Sequence, residues 1–361
     1  MFNGVYKGKK VLVTGDTGFK GSWLSLWLSA LGAEVLGAAK YLPSQPCHFE
    51  VASLAGSINH VETDIRYYLE LKKIFDSFQP EIVFHLAAQP IVTTSYDQPQ
   101  LTFETNVGGT INVLESIRHT PSVKAAVIIT SDKCYENKGW DWGYRETDSL
   151  GGSDPYSASK ACAEIAFSSY FRSYFQKPNM TQIVTVRAGN VIGGGDWAEN
   201  RIVPDCVRAF SQNKELGIRN PHATRPWLYV LEPLSGYLWL GALLYPGAEN
   251  LNGESFNFGP DVETVHSVGD LVKSLSEHWG GGKWRVVPSD KKEAGLLKLS
   301  FDKALKRIDW MPVLSFQQTM DMTSKWYKQY YAQLSNMKEF SLSQISQYVG
   351  EATKKQLRWA Q

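Results

Sequence analysis

One stretch near the start constrains the fold more than any other: Val11-Leu-Val-Thr-Gly-Asp-Thr-Gly-Phe-Lys-Gly-Ser-Trp-Leu24. A short apolar run ends in a turn holding Gly15, Gly18 and Gly21. A helical pattern follows in Trp23, Leu24, Leu26, Trp27 and Leu28. Strand, glycine turn and helix in that order place a pyrophosphate on backbone N–H groups at a helix N-terminus. Glycine is needed there because a Cβ would hold the phosphates away and resist positive φ. A structural turn can look the same. The position between strand and helix at the start of the chain favours the dinucleotide reading.

The alternation continues. Apolar runs and turn residues predict strands at Lys10–Thr14, Glu34–Ala39, Asn59–Glu62, Ile82–Leu86 and Ala125–Thr130, with helices at Ser22–Ala30, Tyr68–Phe78 and Gln100–Arg118. Near-continuous apolar strands between helices imply a parallel sheet covered on both faces, an α/β doubly wound Rossmann sheet. Right-handed crossovers bring ligands to the carboxyl ends of the strands. Gly15, Asp64, Ala87 and Ser131 all lie at such ends and should share one crevice.

After Asn190 the periodicity weakens, and glycine, proline and aromatics rise, which indicates a smaller, mostly C-terminal substrate-binding domain. The division reads as 1–188 with about 233–258 for the dinucleotide domain, and 189–232 with 259–361 for the substrate domain. Helical spacing returns at Glu232–Leu244, Val265–Trp279 and Phe301–Ile308, a strand is expected at Trp284–Val287, and Gln317–Tyr331 is amphipathic. From Lys338 onward the chain reads as either an extra helix or a mobile end.

Composition excludes several classes. The 361 residues carry a net charge of +1, so no basic surface points to nucleic acid or anionic lipid. Cys47, Cys134, Cys162 and Cys206 form no Cys-x-x-Cys pair, so reduced thiols in a cytoplasmic enzyme are expected. The start lacks a secretory pattern, and no apolar run is long enough to span a bilayer. The seven histidines have no metal-ligand spacing, so no metal is expected, and His85 reads as a packed residue. No Gly-x-Ser-x-Gly or Walker sequence is present.

Specificity for the adenosine ribose is less legible. A Rossmann site usually carries an acid after its second strand, but this chain has Ala38-Ala39-Lys40-Tyr41. Lys40 suits a 2′-phosphate, which favours NADP. A solvated lysine beside NAD is the alternative, and the residues alone leave both open. Asp64 is expected on the adenine amino group.

The segment Asp154-Pro-Tyr-Ser-Ala-Ser-Lys160 carries catalytic chemistry. Tyr156 and Lys160 are four apart on one face of a helix that Pro155 can open. An ammonium near a phenol favours the phenolate, and a tyrosine so tuned accepts a hydroxyl proton while hydride leaves the same carbon. Ser131-Asp132-Lys133 ends a predicted strand and supplies a hydroxyl and a second acid–base pair, which simple alcohol oxidation does not need.

These residues carry a resemblance. The glycine turn, His85-Leu-Ala-Ala88, Asn106-Val-Gly-Gly-Thr110, Ser131 and Tyr156-x-x-x-Lys160 resemble the extended short-chain dehydrogenase/reductases that act on nucleotide sugars, from the N-terminus to about Pro312. Thr130-Ser-Asp-Lys-Cys-Tyr-Glu-Asn137, Trp142-Gly-Tyr-Arg-Glu146, Gly151-Gly-Ser-Asp-Pro-Tyr156 and Arg187-Ala-Gly-Asn-Val-Ile-Gly-Gly-Gly-Asp-Trp197 resemble its 4,6-dehydratases. The resemblance implies NAD as a recycled cofactor, CDP-glucose as substrate, and a place in 3,6-dideoxyhexose and O-antigen synthesis. The implied cycle is oxidation at C4, loss of water across C5–C6 and hydride return to C6. A nucleotide-sugar epimerase is the alternative.

Roles follow from that likeness. Tyr156, with Ser131 and Lys160, takes the 4-hydroxyl proton. Relatives carry Asp-Glu where this chain has Asp132-Lys133, so Asp132 is the acid and Lys133 the C5 base, with Tyr135 as runner-up or a packed aromatic. A lysine base must be neutral, which needs desolvation or a cationic neighbour. The cofactor is expected on Gly15, Thr17, Gly18, Phe19, Lys20, Asp64, Ile65, Leu86, Ala87, Ala88, Thr105, Tyr156 and Lys160. The substrate is expected on Gln89, Ser131, Asn190, Arg201, Arg225 and Glu293, with Arg201 and Arg225 as diphosphate clamps. The Gly193–Trp197 segment reads as a hinge, a phosphate loop or, by resemblance, a border of the sugar nucleotide. Relatives dimerise through a four-helix bundle, which Gln100–Arg118 and Ser157–Tyr174 would supply. A homodimer or tetramer is therefore expected.

Overall fold

A computed structural model describes residues 1–177, 179–261, 266–288, 297–334 and 336–361. Its centre is a seven-stranded sheet of β1 (Lys10–Thr14), β2 (Glu34–Ala39), β3 (Asn59–Glu62), β4 (Ile82–His85), β5 (Ala125–Ile129), β6 (Gln182–Ala188) and β7 (Ser255–Phe258). The spatial order is β7-β6-β5-β4-β1-β2-β3, and every pairing is parallel. The order reverses between β1 and β4, which opens a ligand crevice at their carboxyl ends.

Side chains alternate across the sheet. Val11 and Val13 of β1, with Ile82 and Phe84 of β4, join one core layer. Leu12 and Val83 join the opposite one. The first layer is covered by α1 (Phe19–Ala30), and the second by α2 (Tyr68–Phe78), α3 (Gly109–Arg118) and α4 (Pro155–Tyr170). Burial on both faces explains why these strands read as unbroken apolar runs. Each fully buried Val, Leu or Phe contributes roughly 1.5–3 kcal/mol.

Two helix boundaries differ from expectation. Helix α1 begins at Phe19, three residues before the apolar periodicity, because Gly18 (φ −68°, ψ 163°) is its N-cap. Gly21 therefore lies in the first turn and not in the loop. The segment expected as one helix from Gln100 is α-helical over Pro99–Phe103, a π-turn over Glu104–Gly108, and α-helical again in α3.

The second half adds α5 (Ile202–Ser211), α6 (Leu231–Leu244), α7 (Val268–Trp279), α8 (Phe316–Tyr331) and α9 (Met337–Lys354). The expected strand at Trp284 is present as Trp284–Val286, paired in parallel with Leu216–Ile218. Helix α6 is buried on nearly every side.

The chain's end is an ordered helix, and it packs against α1. Trp27 of α1 meets Tyr348 edge-on at 6.0 Å, and Phe2 stacks on Trp359 at 5.4 Å. The last residues thus bridge the two parts, resting on α1 and also on α8, where Trp326 Nε1 donates to Ser341 and Gln344 donates to Met322 O. Aromatic packing between distant segments decides this, and no local pattern announces it. Among the described residues, no helix is long and apolar enough to cross a membrane.

Glu232 of α6 pins this layer. Its buried carboxylate accepts from Val313 N, Leu314 N and the Tyr348 hydroxyl at 2.7–2.9 Å. Burial pushes its pKa up to about 7 from 4.5, against those hydrogen bonds. A folded pKa above the unfolded one gives stability that is full below pH 4.5 and lost as pH rises through 7. Thermal melts should show the wild type losing on the order of 3 kcal/mol across that window relative to Glu232→Gln. Parallel melting curves for the two proteins from pH 5 to 8 would refute this assignment.

Candidate active site

The glycine turn joins β1 to α1. Gly15 adopts φ +77°, and a Cβ there would lie 2.7 Å from Ala87 N. A Cβ on Gly21 would lie 2.0 Å from Gly15 O. The turn therefore packs backbone on backbone, against the loop after β4. The first-turn N–H groups of α1 lack partners within the helix and form an anion cradle. This geometry fits a dinucleotide pyrophosphate. Thr17, Gly18, Phe19 and Lys20 lie on the turn and the first turn of α1. Leu86, Ala87 and Ala88 form the facing loop, where Leu86 N donates to Thr14 O at 3.0 Å.

The adenosine end differs from expectation. Both Asp64 oxygens are engaged, by Arg66 at 2.7–3.1 Å and by Lys40 at 3.1 Å. Partial burial raises the Asp64 pKa, but these partners outweigh it and hold the carboxyl at about 2. Asp64 is thus an ion-pair centre before it is a partner for adenine, and Lys40 leans on it. Arg66 was not anticipated. Its signal was available as Asp64-Ile-Arg66 immediately after β3. Ile65 is buried beneath α3, where its side chain fills the space a Gly109 Cβ would need. Thr105 lies within the π-turn.

Asp154 caps α4, accepting from Ser157 N at 2.9 Å, and Pro155 opens the helix. Tyr156 and Lys160 are both buried on it. The turn Asp132–Cys134 follows β5. There Ser131 Oγ donates to Asp132 Oδ1 at 2.9 Å and accepts from Lys133 N at 3.2 Å. The Ser131 side chain also lies beside Tyr156, close enough to act on its phenol, so the turn and the helix meet at one point.

The expected lowering of the phenol pKa is not what the structure shows. Burial pushes Tyr156 up to about 12, and the neighbouring Ser131 hydroxyl pulls only partly back. The Lys160 ammonium is itself disfavoured by burial, which lowers it to about 8. Lys20 falls to about 8 as well, through burial first and then the charges of Lys160 and Arg201. The crevice therefore gathers Lys20, Lys160 and Arg201, with Asp132 acting on Lys20, Glu164 on Lys160 and Asp196 paired to Arg201, a cationic cluster that suits a diphosphate.

The expected substrate contacts are distributed as follows. Arg201 donates to Asp196 at 2.8 Å, and Arg225 Nη1 donates to Thr224 O at 2.8 Å. Gln89 is held on all sides: its N–H donates to Asn106, its amide to Thr102, and its Oε1 accepts from Ile91 N. The Asn190 carbonyl accepts from Leu228 N. Glu293 lies outside the described residues. The Gly193–Trp197 segment is a packing seam. A Cβ on Gly194 would lie 2.0 Å from the Trp326 ring, and Trp23 Nε1 donates to Gly194 O at 2.9 Å. Trp326 beside Gly194 and His48 beside Gly195 occupy the space a side chain would need, so packing accounts for those two glycines.

Tyr135 is a packed residue. It is 2% exposed, donates to Asn257 Oδ1 at 2.9 Å and accepts from Arg187 Nη1 at 2.6 Å. Burial drives its pKa far up, so it makes a poor base. His85 is buried between Thr14 and Thr110, and burial lowers it to about 3. Two further groupings had no role assigned from the sequence, although Asn106 and Arg187 stand in motifs that carry the resemblance. Asn106 bridges the Gln89 carbonyl and Ser159 on α4. Glu164 and Arg187 form an ion pair with both side chains at most 3% exposed.

Comparison with known proteins agrees with this geometry. A family model described as GDP-mannose 4,6 dehydratase matches residues 12–323. CDP-glucose 4,6-dehydratase of Salmonella typhimurium is 43% identical, over 97% of this chain and 98% of its own. CDP-paratose 2-epimerase of Salmonella typhi is 25% identical, over 88% and 98%. Among solved structures, the epimerase Mth375 of Methanothermobacter thermautotrophicus superposes with a TM-score of 0.80 at 26% identity, covering 92% and 96%. The dTDP-glucose 4,6-dehydratase of Bacillus anthracis, in complex with NAD, gives 0.74 at 22% identity over 89% and 97%, a likeness of fold.

The cradle makes a direct prediction. Gly15→Ala adds about 1–2 kcal/mol of backbone strain and a clash with Ala87. Calorimetric titration should show dinucleotide affinity reduced at least tenfold, with the circular dichroism of the sheet retained. Unchanged affinity would refute the placement.

Proposed function

Because the chain belongs to the GDP-mannose 4,6-dehydratase family of extended short-chain dehydrogenases, we propose that it is a lyase converting CDP-glucose to its 4-keto-6-deoxy derivative and water. The observation that carries this reading is the hydrogen-bonded Ser131–Asp132 pair beside Tyr156: an acid stands next to the redox tyrosine. The 43% identical relative, matched over nearly its whole length, supports the substrate.

The residues divide the work. Lys20 and the first turn of α1 bind the cofactor's phosphates, while Tyr156 and Lys160 face its reactive end. NAD, once bound, supplies a hydride store between C4 and C6 of the sugar. Tyr156 removes the 4-hydroxyl proton, with Ser131 orienting that hydroxyl. The resulting 4-keto group acidifies the C5 proton, which Lys133 takes. Asp132 protonates the departing 6-hydroxyl. Arg201 and Arg225 hold the diphosphate, and Asn190 and Gln89 border the sugar.

The product fits 3,6-dideoxyhexose and O-antigen synthesis in the cytoplasm. A dimer through α3 and α4 is supported by Ile165, 59% exposed on α4, and Phe103, 37% exposed ahead of α3. Val113, Leu114 and Phe167 lie instead in the protomer's own core.

A nucleotide-sugar epimerase is the second reading, favoured by the superposition on Mth375. Incubation with CDP-, dTDP-, GDP- and UDP-glucose, with NAD or NADP, should give alkaline-absorbing 4-keto product from CDP-glucose with NAD. Asp132→Asn should lower dehydration by about 10²–10⁴-fold, the usual range for a lost acid–base group. An Asp132→Asn enzyme that still turns over at the wild-type rate would point to the epimerase. No 4-keto product from any sugar would reject the lyase.

A further inference from the structure

Beneath the crevice lies a buried polar network that the proposed chemistry does not use. Arg187 of β6 grips Glu164 of α4 with two parallel bonds, Nε to Oε1 at 2.9 Å and Nη2 to Oε2 at 2.8 Å. Glu164 also accepts from the hydroxyls of Thr130 and Thr185. Arg187 Nη1 donates to the Tyr135 hydroxyl at 2.6 Å and to the Glu146 carbonyl at 3.2 Å. Its guanidinium lies 4.9 Å from the centre of the Tyr135 ring. Tyr135 passes the chain on to Asn257 of β7.

The placement of these partners matters. Thr130 immediately precedes the turn that carries Ser131, Asp132 and Lys133, and Tyr135 closes that turn two residues after Lys133. Glu164 is one helical turn beyond Lys160 and two beyond Tyr156, on the same face of α4. One ion pair therefore ties both ends of the acid–base turn to the helix that carries the redox pair. Buried ion pairs often contribute little net stability, so a role in geometry accounts better for this one.

We infer that Arg187 and Glu164 are positioning residues. They set the height of the Ser131–Lys133 turn against Tyr156 and Lys160, so that oxidation and elimination act on one bound sugar. The consequence for turnover rests on the dehydratase reading above. The geometric claim does not.

Removing either charge risks unfolding, so the test uses the two hydroxyl straps: Thr130→Val, Tyr135→Phe and the double variant, each as the full-length chain loaded with NAD. Hydrogen–deuterium exchange of amides 131–136 should quicken at least tenfold in the double variant, with the amides of α1 and α4 unchanged. In a single turnover with CDP-glucose, absorbance at 340 nm should rise as in wild type and then decay at least tenfold more slowly. Oxidation would then continue while elimination stalls, because small misplacements of reacting groups carry large rate penalties.

Unchanged exchange in the turn overturns the inference whatever the substrate. Faster exchange with wild-type decay at 340 nm reduces the network to a structural role and also overturns it. Failure of the wild type to dehydrate any nucleotide sugar rejects the functional reading instead, and the exchange result then decides the geometric claim.

Discussion

The architecture depends on three places where backbone needs room that only hydrogen leaves. At Gly15 the chain turns through φ +77°, and a Cβ there would lie 2.7 Å from the Ala87 nitrogen. At Gly21 the first turn of α1 presses on the Gly15 carbonyl, and at Gly37 the β2 backbone makes way for the Asp16 carboxylate. These contacts lock β1, β2, β4 and α1 into one corner. The cradle, the crevice and the orientation of α1 follow from it. The Asp16 carboxylate bonds His60 Nδ1 at 2.7 Å, so the corner is closed on its far side by a polar contact that no glycine pattern reveals.

Around this corner the protein buries charge. Glu164, Arg187, Lys160, Asp132, Asp16 and Glu232 are all buried. Desolvation is the first cause of shift at Lys160 and at Glu232, and it moves both toward their neutral forms. At Glu164 burial acts the same way, but the bidentate Arg187 outweighs it and keeps the carboxyl low. Removing one partner of such a pair typically costs about 3–5 kcal/mol, so these groups constrain geometry strongly even where their net stabilisation is small. The same desolvation, acting on the phenol itself, is the first cause that holds Tyr156 high.

The fold was legible because its signals are local. Unbroken apolar strands between helices and the glycine spacing each lie within a dozen residues. The Tyr156–Lys160 pair was legible for the same reason, since four residues on a helix share a face. The course of the last residues was not. Trp359 finds Phe2, and Tyr348 finds Trp27, across the whole length of the chain. Tyr135 could be read as acid–base or packed until its hydroxyl was seen between Arg187 and Asn257.

The sequence by itself determined the parallel sheet, the glycine turn of the dinucleotide cradle, the Ser131–Asp132 turn at a strand end and the Tyr156–Lys160 pair on one helix face. Each depends on backbone conformation or on short spacing along one element. Tertiary structure alone decided which distant charges neutralise one another: Asp64 with Lys40, and Arg187 with Glu164. Electrostatic interaction depends on separation in space and on removal from water, and spacing along the chain encodes neither.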